Sequence, residues 1–313
     1  MRGAVLVTLA NEKFVAQAKQ LFSSVYFNSG WKGDYLLLAH EIPESELGWF
    51  RKKNILIMPC KPVFKKIRKR PNVLLSKFYL FSKQFKRWGN VVFLDSDIIV
   101  RGSLEKLAKA KGLAAVPDIF NKPLAGEFTE PKTKEEKELL KKTAKKYDFK
   151  TVSFNTGVLA FSTGIIKNNT FAGIKKMFAK YWKIHQNADQ TALNLFFYKK
   201  WKKLPCKYNA YTVVLESGLD LPEHSAVLHM FSACGNEPWT SGNYFHGEWK
   251  KNLKKAGKID LEKRPRAKKP GKSQGLWAYK TQRRFRKLFA EIDAKITTKI
   301  SLSLRELLKL RAR

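Results

Sequence analysis

The stretch VVFLDSDIIV, residues 91–100, sets two aspartates one residue apart inside an otherwise apolar run. Its apolar residues, Val91 to Leu94 and Ile98 to Val100, do not alternate with polar ones, and this is the pattern of a central strand buried on both faces. A lone charge in such a place costs several kcal/mol unless it is paired or bound to a metal. Carboxylates at i and i+2 project to the same side while the chain is extended. At the carboxyl end of a parallel strand they face the crevice in which α/β folds bind ligands. Oxygen ligands of this kind suit magnesium or manganese, and a metal held there offsets the charge of a diphosphate leaving group. Taken alone, the triplet also fits a strand running out into a loop with two solvated acids.

Working outward, short apolar runs alternate with helix-like stretches: AVLVTLA, EKFVAQAKQLFSSVYF, DYLLLAH, ESELGWFRKK and NILIMP follow one another from Ala4. Strands alternating with helices predict a layered α/β fold around a mainly parallel sheet. With 313 residues, 44% of them hydrophobic, the chain can bury a full core and still carry an appendage. The expected organisation is an α/β domain over 1–249, a Lys/Pro/Gly-rich exposed linker over 250–275, and a basic amphipathic extension over 276–313. Three cysteines, Cys60, Cys206 and Cys234, lack metal-ligand spacing and argue against a disulfide framework. The opening MRGAVLVTLANEKF has too short an apolar run for a secretory signal, and no stretch approaches the ~20 residues of a membrane span. A cytoplasmic location with only peripheral membrane contact is therefore expected.

The net charge of +36 implies an anionic partner: nucleic acid, an acidic membrane surface or an anionic substrate. Residues 241–313 hold 22 Lys and Arg against 6 acids, with Trp277, Tyr279, Phe285, Leu288 and Phe289 among them. Such a segment suits an anionic leaflet, each surface-near cation contributing about 1 kcal/mol. It also fits a solvated helix docked on the catalytic domain.

Downstream of the aspartates come VSFNTGVLAFS (152–162), NADQTALNLFF (187–197), LPCKYNAY (204–211) and VLHMFSACGNEPW (227–239). In this order the motifs resemble the family 8 glycosyltransferases, the group of glycogenin and the bacterial lipopolysaccharide galactosyl- and glucosyltransferases, over about residues 4–240. The resemblance implies a GT-A fold and retaining transfer of a hexose, glucose or galactose, from a UDP-sugar to a glycan or glycolipid such as lipopolysaccharide core. It implies manganese or magnesium on Asp95, Asp97 and His229. Thr8, Leu9, Asn11 and Phe14 are then expected at the uracil and ribose, Lys77 at the diphosphate, and Asp95 and Ser96 at the donor. Asp118 and Gly157 complete the donor site, Asp118 near sugar hydroxyls and Gly157 by allowing close backbone approach. Asn155, Asp189 and Gln190 are expected at the transferred sugar and its anomeric carbon. Local roles compete for five of these residues: Asn11 and Asp189 are suited to cap a helix, Asp118 to a plain turn, Lys77 to a solvated surface and His229 to a hydrogen-bonded core.

One motif departs from the family pattern. Where the family shows His-x-x-Gly-x-x-Lys-Pro-Trp, His229 is followed at longer spacing by Pro238 and Trp239, Gly235 fills the glycine's place in part, and Glu237 stands where the lysine is expected. Two other classes stay open. A nucleic-acid or polyanion-binding protein would use the charge, but it leaves the ordered motifs unexplained, and no zinc-finger or RNA-binding aromatic motif is present. A nucleotidyltransferase would share the metal and nucleotide but not the Phe-Asn-x-Gly and Asp-Gln motifs.

Overall fold

A computed structural model of the chain describes residues 2–64, 72–217, 219, 221, 222, 224–230 and 237–270. In chain order the elements are β1 (Arg2–Ala10), α1 (Val15–Asn28), β2 (Asp34–His40), α2 (Glu44–Lys52), β3 (Leu56–Cys60), β4 (Trp88–Leu94), β5 (Ile98–Val100), α3 (Glu105–Ala108) and β6 (Leu113–Pro117). They continue with α4 (Lys134–Lys146), β7 (Phe154–Ser162), α5 (Thr170–Tyr181), α6 (Ala188–Phe196), β8 (Trp201–Lys203), β9 (Ala210–Tyr211), β10 (Val227–His229) and α7 (His246–Lys255). Short 3-10 turns join them, the longest over Asn72–Phe81.

The apolar run Val91–Leu94 lies in β4, the middle strand of a seven-stranded sheet ordered β3-β2-β1-β4-β7-β6-β8. Six strands share one direction. β7 alone is reversed, antiparallel to both β4 and β6. The absence of alternation in β4 has a direct cause. Val92 and Leu94 enter one core with Phe22 and Val25 of α1, while Val91 and Phe93 enter a second core with Phe178 of α5 and Leu193 of α6. All four are fully enclosed, and each stabilises the fold by about 1.5–3 kcal/mol.

A second sheet, ordered β5-β10-β9, begins where β4 ends. β10 runs antiparallel to β5 with His229 opposite Ile98, and this register sets the histidine beside the aspartate turn.

Residues 250–259 are not the start of an exposed linker. α7 crosses the expected boundary at Trp249, and a 3-10 turn continues over Ala256–Lys258. Trp249, Asn252 and Ala256 lie at helical spacing and are buried, as is Ile259. Arg101 fixes the helix through its bond to Glu248 (Nε–Oε1 2.9 Å). Beyond it the chain runs along the surface to Pro270, with Lys268 N donating to Asn28 O (2.8 Å) and Arg264 to Gly33 O (2.8 Å). The expected extension over 276–313, Cys234 and Gly235 lie outside the described residues. No helix among the described residues is long and apolar enough to cross a membrane.

Candidate active site

Leaving β4, the amide of Asp95 donates to the carbonyl of Gly157 on β7 (2.8 Å), and Met230 N donates to the carbonyl of Asp97 (3.1 Å). The turn 95–97 is thus fastened to the main sheet on one side and to β10 on the other, with Ser96 buried inside it. Ligand atoms of Asp95, Asp97 and His229 lie within 4.8 Å of one another, the spacing of a three-ligand cation site. His229 Nε2 is 3.4 Å from Asp97 Oδ1, while Nδ1 meets Asn209 Oδ1 at 2.9 Å. An Nδ1–H donating to this amide oxygen leaves Nε2 as the nitrogen that faces the acids, where a neutral ring would present its lone pair.

Gly157 makes this approach possible. A Cβ there would stand 2.4 Å from His229 Cε1 and 2.9 Å from Asn155 Oδ1, so any side chain would displace the imidazole.

Lys77, on the 3-10 segment Asn72–Phe81, sends a buried ammonium between two carboxylates, 2.9 Å from Asp189 and 3.2 Å from Asp95. It also approaches Thr156 Oγ1 (3.3 Å), and the Phe93 ring lies beneath it (5.1 Å). Burial alone pulls its pKa down, but Asp189 and Asp95 outweigh it and raise the value, so the ammonium stays charged. Enclosure raises the Asp95 carboxyl above the usual range, with the Asp97 charge adding to the rise and Lys77 opposing it. Burial works against the charged form of His229, yet the charges of Asp97 and Asp95 and the Asp97 hydrogen bond raise its pKa overall.

A second polar cluster adjoins the first through Asn155. Its Nδ2 donates to Asp118 (3.3 Å) and Gln190 Oε1 (3.1 Å), while its Oδ1 accepts from Gly157 N (2.8 Å) and Asn209 Nδ2 (3.0 Å). Gln190 Nε2 donates to Asp118 Oδ2 and to Glu127 Oε1, both at 2.9 Å. Two acceptors on one side fix the amide orientation and turn Oε1 toward Asn155 and Thr156 N. Lys122 bridges Asp118 (3.1 Å) and Glu127 (2.9 Å). Its pKa is raised because these two acids outweigh its desolvation. α6 is registered on β7 by Asn194, which accepts from Phe154 N and donates to Phe154 O, both at 2.8 Å.

The sequence profile described as Glycosyl transferase family 8 matches residues 11–242. The chain belongs to glycosyltransferase family 8. Glycosyltransferase GlyF of Streptococcus pneumoniae serotype 4 is 23% identical over 220 residues, 65% of this chain and 48% of GlyF. The chain therefore spans about half the length of that curated relative. Among solved structures, the galactosyltransferase LgtC in complex with donor and acceptor sugar analogs superposes with a TM-score of 0.62 at 17% identity, covering 80% of this chain and 95% of LgtC. The apo bifunctional glycosyltransferase WbbM superposes with a TM-score of 0.61 at 16% identity, covering 83% and 52%. The fold is GT-A, with the mostly parallel sheet and flanking helices of these structures.

Within the family 8 fold, the expected residues gather at one end of the sheet. Thr8 and Leu9 follow the Val7–Phe93 pair near the carboxyl end of β1 and pair with Leu37 and Leu38 of β2. The side-chain oxygens of Thr8 and Asn11 are enclosed and accept or donate no hydrogen bond among the described residues. Asn11 holds the N-cap position of the turn that follows it without a side-chain capping bond, and Asp189 does not cap α6, whose N-cap position is Asn187. Asp189 is instead engaged by Lys77 and by Thr156 Oγ1 (2.8 Å). Phe14 meets Trp239 edge-to-face (5.9 Å), so the segment carrying Glu237 folds back over the β1 loop despite its altered spacing.

Sequence reasoning missed four members of this family 8 site: Lys122, Glu127, Thr156 and Asn209. Asn209 and Thr156 lie inside quoted motifs and carried a signal. Lys122 and Glu127 stand in a loop without periodicity and carried none.

Proposed function

We propose that the chain is a metal-dependent, retaining hexosyltransferase that uses a UDP-sugar and a glycan or glycolipid acceptor. The observation that carries this reading is the convergence of Asp95, Asp97 and His229 with Asn155, Asp189 and Gln190 at the carboxyl ends of parallel strands. The donor set fits a divalent cation. Two carboxylates and an imidazole whose Nε2 faces them bring their ligand atoms within 4.8 Å of one another. A manganese or magnesium ion held there supplies positive charge against the diphosphate leaving group.

The chain's own residues do the rest. Lys77 bridges the metal-side acid Asp95 and the sugar-side acid Asp189, fixing their separation. Asp189, occupied by Lys77 and Thr156, is held as an electrostatic partner of the sugar rather than as an unengaged nucleophile, in keeping with retention without a covalent step. Gln190, oriented by Asp118 and Glu127, offers a fixed carbonyl dipole to developing positive charge. Thr8 and Asn11, with enclosed oxygens that have no partner in the protein, suit the polar edge of uracil and ribose. On the acceptor side, Phe120 lies two residues from Asp118, is 60% exposed and is held at φ +54°. A large side chain kept in the left-handed region at a site's rim is strain of the kind found at ligand contacts, and its ring can lie against a pyranose face. Peripheral attachment to an anionic, cytosol-facing membrane surface through residues 276–313 is proposed from their composition alone.

The test is nucleotide release from UDP-, GDP- and CMP-sugars by the purified chain, with manganese or with chelator, alongside Asp97→Ala. Manganese-dependent UDP release from one sugar, lost in the variant, supports the reading. Turnover that ignores both chelator and the substitution overturns it.

A further inference from the structure

Five of the chain's 62 basic residues, none of them used by the catalytic reading, border one concave place. A groove of about 630 Å³ lies between α3 and the edge strand β8 and is bordered by Lys106, Lys109, Lys111, Lys202 and Lys203. All five are exposed. One acid, Glu105, also borders it and is taken by Lys109 (2.6 Å), which leaves four ammonium groups without a carboxylate at the groove. Lysine on an edge strand is a common guard against sheet pairing. Here, however, lysines from two elements remote in sequence converge on one depression, and α3 has no edge to guard.

The floor is firm. Ala114, Leu204 and Tyr208 line it and belong to the buried core behind α1. Leu204 N donates to Ala115 O (2.8 Å), fixing the segment after β8 against β6. That segment has two faces in use. Tyr208 forms groove floor, and the next residue, Asn209, holds Asn155 and His229 in the site described above.

The geometry points to this groove as a binding site for an anionic oligosaccharide, a glycan chain bearing phosphate, sulfate or carboxylate groups. Lysines act as point charges on a flexible stem and suit anions spaced along a chain better than a single bidentate group. A flat bilayer meets the rim of a concavity and not its floor. Base stacking needs exposed aromatic faces, and the one ring lining the groove, Tyr208, is buried, so single-stranded nucleic acid is the poorer match. The site stands apart from the donor chemistry, since none of its lysines touches the catalytic clusters.

The experiment uses the full chain and a fluorescent heparin hexasaccharide as the probe, read by anisotropy at about 0.15 M salt. Charge reversal at Lys106, Lys111, Lys202 and Lys203 (each →Glu) is compared with the same reversal at Lys134, Lys137, Lys142 and Lys145, exposed positions on α4. The groove variant is expected to lose affinity about tenfold or more, the scale of four exposed charge contacts removed together, with the α4 variant within about threefold of wild type. A milder set, the same four groove lysines changed to Gln, must also weaken binding, which separates lost contacts from introduced repulsion and guards against misfolding of the reversed chain. Equal losses in the groove and α4 variants would mean a diffuse field and overturn the site. So would unchanged binding in the groove variant, or tighter binding of an oligodeoxythymidine of equal charge that the groove variant abolishes. Rates of UDP release unchanged in the groove variants would keep this outcome distinct from the fate of the transferase reading.

Discussion

Two buried polar clusters meet at Asn155, and they are built on opposite terms. Around Gln190, every carboxylate oxygen has a donor: Asp118 accepts from Ile119 N, Asn155, Gln190 and Lys122, and Glu127 accepts from Gln190, Lys122, Thr191 and Asn187. Around Asp95, the one ammonium of Lys77 serves two carboxylates, Asp95 (3.2 Å) and Asp189 (2.9 Å), while Asp97 faces His229 Nε2 at 3.4 Å. The first cluster is complete in the folded protein and acts as a rigid frame. The second gathers three carboxylates, Asp95, Asp97 and Asp189, around Lys77 and His229, and it is the one the proposed cation would join. A network that is fully bonded rigidifies a core, whereas one that is short of positive charge marks a binding site.

The contrast gives its sharpest prediction at Glu127 and Asp97. Glu127→Ala leaves Lys122 and Gln190 short of a buried partner and should destabilise the chain by about 3–5 kcal/mol in urea unfolding, metal present or absent. Asp97→Asn in chelator should shift stability by less than about 1 kcal/mol, because a repulsive neighbour of Asp95 is removed as a hydrogen-bonding group is weakened. Equal losses at the two positions would erase the distinction between frame and site.

A smaller effect is expected at the hinge between the clusters. Gly157→Ala places a methyl inside contact distance of His229 and Asn155, and overpacking of this kind costs about 1–3 kcal/mol. Manganese affinity should fall with it. Retention of wild-type affinity would show that His229 is not a ligand.

Asn209→Ala removes the acceptor that sets the imidazole tautomer and one donor to Asn155. The expected loss is about 10- to 100-fold in metal affinity with little change in melting temperature, as for other residues that orient a ligand. Asn209→Asp, which keeps the acceptor, should recover part of it. The mildest expectation concerns the rim: Phe120→Ala should raise the acceptor KM severalfold and leave acceptor-independent UDP release unchanged, since the ring lies outside both buried clusters.

Much of this site could be seen in the chain before any coordinates. β4 showed itself by an unbroken apolar run, because burial on both faces removes alternation, and the aspartates at its end stood out because charge is costly there. His229, Asn155, Gly157, Asp189 and Gln190 came from ordered motifs. The direction of β7 was not legible: FNTGVLAF fits a central strand equally well in either sense, and direction follows from the connections. Glu127 and Lys122 were hidden for a different reason. Glu127 sits on a short 3-10 turn, Leu124–Glu127, and Lys122 is one of 62 basic residues, so only the tertiary meeting with α6 gives either a role. The expected linker at 250 failed because the lysine content of KKNLKKAGKID masked a helical stripe of Trp249, Leu253 and Ala256, of which Trp249 and Leu253 pack with Met230 and with Ile99 and Leu228 of the second sheet.

The most direct measurement is a calorimetric titration of manganese into the metal-free chain in the presence of UDP, repeated for Asp97→Asn. One ion bound per wild-type chain and none detectable in the variant is the predicted result. Wild-type chain that binds no manganese with UDP, or a variant that binds it equally well, would contradict a metal centre on Asp95, Asp97 and His229 and with it the proposed chemistry.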